Sequence, residues 1–71
     1  MSYLEECIED GIRKGLDVSW FTKEDWDRAQ LYEIKWGLLD GLEVSKYAKK
    51  EFNERQMEQI RMGLMRWFER L

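Results

Sequence analysis

The chain has no histidine, no proline and a single cysteine among its 71 residues. Without histidine, serine has no imidazole base, so Ser2, Ser19 and Ser45 are poor candidates for a nucleophile. One thiol cannot close an internal disulfide, and without histidine it cannot complete the usual ligand set of a structural zinc site. Cys7 therefore reads as a small, partly buried side chain on the first helix. No apolar run approaches the ~18 residues that a membrane span needs. The opening Met-Ser-Tyr-Leu-Glu-Glu-Cys-Ile-Glu is acidic where a secretory leader is basic, so the expectation is a cytoplasmic protein. Carboxylates one turn apart, such as Glu5/Glu9 and Glu54/Glu58, have basic neighbours in Glu9/Arg13, Asp10/Lys14 and Glu51/Arg55. That is ordinary helix-surface pairing rather than acid–base machinery. The reading is of a non-enzyme that uses neither cofactor nor metal and takes no small-molecule substrate.

What the chain does have is a period of 26 residues. It aligns Ile8/Ile34/Ile60, Gly11/Gly37/Gly63, Gly15/Gly41, Leu16/Leu42, Val18/Val44, Ser19/Ser45 and Gln30/Gln56. Looser pairs keep their character: Asp17/Glu43, Phe21/Tyr47, Trp26/Phe52, Asp27/Asn53 and Lys35/Arg61. Repetition at this spacing is the mark of stacked helical units. Asp27 with Gln30 and Asn53 with Gln56 have the form of capping boxes, with Trp26/Leu31 and Phe52/Met57 as staples, and Ser2 with Glu5 offers a third start. Gly15 and Gly41 are matching helix exits. Beyond them Ser19 and Ser45 are expected to cap one short turn each, with Thr22 to Asp25 as a competing cap, and Phe21 and Tyr47 fold inward as plugs.

These signals predict an all-α single domain over 1–71, a three-helix stack or small bundle with short capped turns, and helices at about 2–16, 27–42 and 53–71. The core stripes are expected to be Ile8, Ile12, Gly15 and Leu16 in the first helix and Leu31, Ile34, Leu38 and Leu42 in the second. The third stripe comprises Met57, Ile60, Leu64, Trp67, Phe68 and Leu71. A glycine within a helix costs about 1 kcal/mol relative to alanine. Its recurrence at 11, 37 and 63 implies that a neighbouring helix or plug approaches too closely for a side chain.

A second stripe, Tyr32, Trp36 and Leu39, lies away from the core face of the second helix. Its counterparts are Glu58, Met62 and Met65 in the third helix and the polar Glu6, Asp10 and Arg13 in the first. Either the second helix is central and buried on both sides, or Tyr32, Trp36, Leu39, Met62 and Met65, with Trp20, form a patch for a protein partner or for self-association. Charge is also uneven: residues 1–43 carry eleven acids against five bases, and residues 44–71 carry seven bases against four acids. Two rival readings follow. One is nucleic-acid association through Lys46, Lys49, Lys50, Arg55, Arg61, Arg66 and Arg70; the other is an acidic mimic using Glu5, Glu6, Glu9, Asp10 and Asp17. A purely structural, homo-oligomeric module is the remaining alternative. The Gly-x-x-x-Gly spacings at 11–15 and 37–41 sit among charges and carry no membrane meaning.

The segment Gly41-Leu-Glu-Val-Ser-Lys-Tyr-Ala-Lys-Lys-Glu-Phe52, followed by Gln56-Met-Glu-Gln-Ile-Arg-Met-Gly-Leu64, resembles a short helical repeat. Such repeats occur in tandem in uncharacterised proteins of gut Firmicutes and of their phages and mobile elements. The resemblance spans residues 30–64 and extends more loosely over 8–29. Lys50 stands where the repeat often has proline, and the end of the third unit departs from the pattern. It implies no activity or catalytic residue. For a stand-alone phage or mobile-element product, it suggests inhibition of a host defence or regulatory protein by direct binding.

Overall fold

Ser2 opens the first helix by accepting a hydrogen bond from the Glu5 amide at 3.1 Å, and its hydroxyl donates to the Glu5 carboxylate instead of completing a reciprocal box. In the computed structural model, which describes residues 2–69, this helix, α1, spans Tyr3–Lys14; α2 spans Arg28–Leu39 and α3 spans Glu54–Glu69. Short 3-10 turns at Val18–Thr22 and Val44–Lys46 follow the first two helices. Of the three predicted capping boxes, the two later ones form. Asp27 and Gln30 exchange bonds of 3.0 and 2.8 Å, and Asn53 and Gln56 exchange two of 2.9 Å. The fold is all-α: α2 lies between α1 and α3, in a slab of 38 × 26 × 15 Å.

The helices end alike because the same glycine closes them. Gly15 and Gly41 adopt φ of 74° and 72°, a left-handed conformation that costs little without a Cβ. The amides of Leu16 and Leu42 then reach the carbonyls of Gly11 and Gly37 at 2.8 and 2.9 Å, the Schellman arrangement. α1 and α2 therefore stop at Lys14 and Leu39, short of the expected 16 and 42.

The plugs behave as expected, but their caps do not. Phe21, Val44 and Tyr47 are buried and join Cys7, Trp26, Leu31, Ile34 and Met57 in the core. Asp17, rather than Ser19, caps the first turn; it accepts from the Ser19 amide at 3.2 Å and from the Ser19 hydroxyl at 2.5 Å. A carboxylate on a short stem reaches the amide two residues on, which makes Asp the stronger competitor at this place. At the second turn Glu43 forms no side-chain cap, so Ser45 has no such acceptor before it. The Ser19 bonds hold the Asp17 carboxyl below its usual range.

Two further expectations are corrected. The buried face of α1 runs through Cys7 and Gly11, with Leu4 and Ile8 partly covered, while Ile12 is 65% exposed. Its counterparts Leu38 and Leu64 are partly buried against the core. The glycines also divide. A Cβ on Gly11 would meet Val18 Cγ1 at 2.6 Å, and one on Gly37 would meet Val44 Cγ1 at 2.7 Å and overlap the Tyr47 ring and hydroxyl. At Gly63, among the described residues, nothing lies within 4 Å. The expected contributions of the Trp67 and Phe68 side chains and of Leu71 to the third stripe lie outside the described residues.

Candidate functional site: the outer face of the second helix

Because α2 is buried toward both neighbours through Leu31, Glu33, Ile34 and Gly37, its remaining face is the one that carries Tyr32 and Trp36. These two are 48% and 41% exposed. Helical spacing of four sets them one turn apart, and their rings meet edge to face at 6.0 Å between centroids. Met62, the repeat counterpart of Trp36 on α3, is also 41% exposed. Leu39 and Met65 are half-buried. The second helix is thus central in the stack, yet its outer stripe remains open.

Charged groups fix the flanks of this stripe. Arg61 Nε donates to Glu33 Oε2 at 2.7 Å, and Arg61 Nη1 lies 3.7 Å from Met65 Sδ. That pair ties α3 to α2 directly beside Tyr32 and Met62 in sequence. The Glu33 side chain is buried and Arg61 is largely covered. Burial, the largest single influence, disfavours the guanidinium charge, but the bond to Glu33, the attraction of its charge and those of Tyr47 and Asp40 together outweigh it and leave Arg61 above its ordinary pKa. On the other side Lys35 and Lys14 both reach Asp10 Oδ2, at 3.3 and 3.0 Å, linking α2 to α1. Hydrogen bonds from Lys14 and then Lys35 hold the Asp10 carboxyl below the usual carboxylate range. Lys35 and Arg61 occupy equivalent repeat positions, so each interface has a base reaching back to an acid on the preceding helix.

At the start of α2 the stripe continues into a shallow open groove lined by Tyr3, Arg28, Ala29 and Tyr32. The Arg28 guanidinium stacks 4.6 Å over the Tyr3 ring. Arg28 shares the Tyr32 face, one turn before it, but is charged, and Tyr3 lies on another helix, so neither belongs to the apolar stripe read in the sequence. Trp20 belongs to another environment. It lies half-buried on the first short turn, with the Lys23 ammonium 3.9 Å over its ring and its carbonyl accepting from Trp26 Nε1 at 2.9 Å.

Sequence reasoning underrated Gln30. It is buried, and besides capping α2 its Nε2 donates to the carbonyls of Lys50 at 3.2 Å and Phe52 at 2.8 Å. Its Oε1 also accepts from Lys50 Nζ at 3.2 Å, and that ammonium reaches the Asp25 carbonyl. Of the seven bases considered for nucleic acid, Lys50 and Arg61 are thereby used inside the fold, and Arg70 lies outside the described residues. Of the acidic set, Glu5, Asp10 and Asp17 are engaged within the chain. The Cys7 thiol is fully buried, and that burial pushes its pKa up, away from reactivity. Among the described residues no helix is long and apolar enough to cross a membrane. Comparisons with protein-family models, curated proteins and solved structures returned no match.

Proposed function

We propose that this chain is a helical protein-binding module that engages its partner through the outer stripe of α2 and α3. The observation that carries the reading is the exposure of Tyr32, Trp36 and Met62 at neighbouring or equivalent positions in a chain this small. Aromatic anchors with few rotatable bonds, beside adaptable methionine, suit a docking surface. The groove at Tyr3, Arg28 and Tyr32 adds a cationic edge to it. A second copy of the chain is the first partner to test. The likeness of residues 30–64 to repeats of phage and mobile-element proteins extends the proposal to binding and inhibiting a host protein.

The internal use of Lys50 and Arg61 argues against the nucleic-acid reading, which relies on a concentrated basic surface. The test is the solution mass over a concentration series by sedimentation, for the native chain and for Trp36→Gln. The expected outcome is reversible association of the native chain, weakened by at least about tenfold in the variant. A native chain that stays monomeric moves the proposal to a different protein as partner. Equal association of both chains would remove the stripe from the interface.

A further inference from the structure

The 26-residue unit seats a short turn on its own helix twice, in the same way. Val18 and Phe21 close over Gly11, and Val44 and Tyr47 close over Gly37. At α2 the seat has four parts. Gly37 leaves room for the turn, Ile34 supplies an apolar flank, the Glu33 carbonyl accepts from the Tyr47 hydroxyl at 2.6 Å, and Gln30 Nε2 donates to the carbonyls of Lys50 and Phe52. α3 repeats all four as Gly63, Ile60, the carbonyl of Gln59 and Gln56. Here, among the described residues, nothing beyond the chain neighbours and the local backbone of α3 lies within 4 Å of the place a Gly63 Cβ would take. Gln56 and Gln59 are exposed, and Gln56 forms the two bonds of its capping box through its backbone amide and Oε1, leaving Nε2 uncommitted among the described residues.

The segment that should turn back onto this seat is not built to do so. Where Gly15 and Gly41 close the first two helices, the third unit has Trp67, and α3 stays helical through Glu69. The position of Val18 and Val44 is taken by Arg70. We propose that the outer face of α3, formed by Gln56, Gln59, Ile60 and Gly63, docks a Val-x-x-Phe/Tyr turn presented by another protein. The occupant is defined by the two turns already seated in this chain: a β-branched residue beside the glycine, an aromatic three residues on, and carbonyls beyond it for the glutamine amide. A second copy does not meet this need, because its own Val18, Phe21, Val44 and Tyr47 are engaged on Gly11 and Gly37. The site is separate from the Tyr32–Trp36 stripe, and neither proposal rests on the other.

The test titrates a peptide copying residues 41–53 into the isotopically labelled full chain and follows backbone amide shifts. The expected result is a saturable change centred on Gln56, Gln59, Ile60 and Gly63, absent with a scrambled peptide. Gly63→Ala should fold with an unchanged or higher thermal midpoint and bind at least about tenfold more weakly, since one methyl fills the seat. Gln56→Glu keeps the cap acceptor, loses the amide donor and should also weaken binding. No saturable change at millimolar peptide would overturn the proposal. So would changes centred on Gly37 or Trp36, or undiminished binding to Gly63→Ala.

Discussion

At Gly37 a single added methyl would overlap the Tyr47 hydroxyl, whereas at Gly63 it would enter open space among the described residues. One substitution made at three equivalent positions therefore has two opposite outcomes. Gly11→Ala and Gly37→Ala should destabilise by about 1–3 kcal/mol, the range for overpacking, with Gly37 the worse because a buried hydrogen-bonded ring must move. Gly63→Ala should stabilise by up to about 1 kcal/mol through helix propensity alone. Denaturant unfolding of the three variants measures this directly, and equal effects at all three would refute the seating of the turns. Gln30 is the other residue whose worth exceeds its sequence signal. Gln30→Leu leaves the carbonyls of Lys50 and Phe52 and the cap amide of Asp27 without their partner. The expected loss is about 2–3 kcal/mol, toward the upper end for unsatisfied buried groups. The exposed Gln56→Leu should lose less, because among the described residues it makes only the box.

Among the described residues, an ionic link from equivalent repeat positions joins each pair of neighbouring helices, and the two links differ in the cover of the acid. Arg61→Ala leaves the Glu33 carboxylate buried without its partner, so a loss near about 3 kcal/mol is expected, the low end for breaking a buried pair. The Asp10 carboxylate is less covered than that of Glu33, 22% exposed against 6%, and shows itself instead in pH dependence. Its folded pKa lies below its unfolded value of about 3.9, so its contribution is complete above that pH and is lost as pH falls through the folded pKa. Thermal melts of the native chain between neutral pH and about pH 2 should show that acid loss, and Asp10→Asn should reduce it. The number of helices, the two later capping boxes, the closing glycines and the inward plugs were legible in the sequence, since each is a local pattern repeated in register; the box read at Ser2 does not form. The caps of the short turns were not, because Asp17 and Ser19 both suit the role and only the chain path decides between them. Nor was the exposure of Ile12, which has the same periodicity as its partly buried counterparts Leu38 and Leu64. The Asp10–Lys14 pair formed as expected for an (i, i+4) neighbour, while Lys35 joined it from another helix, a contact that no local pattern announces.

For the molecule as a whole, the repeat explains why large apolar side chains stand open on one face. A stack of units buries the inward stripe of each helix and leaves the outward one to vary, and here that face grows from Glu6, Asp10 and Arg13 on α1 to Tyr32 and Trp36 on α2. The sequence located Tyr32, Trp36 and Met62 but could not say whether a central helix had a free side, which the arrangement of the slab decides. The most direct measurement is urea unfolding of Trp36→Gln beside the native chain, at a concentration low enough that both are monomeric. A surface anchor predicts retained helicity and a loss below about 1 kcal/mol, close to the range for exposed positions. A loss of about 3 kcal/mol or more, the range for truncating a core aromatic, would place Trp36 in the core and contradict the account.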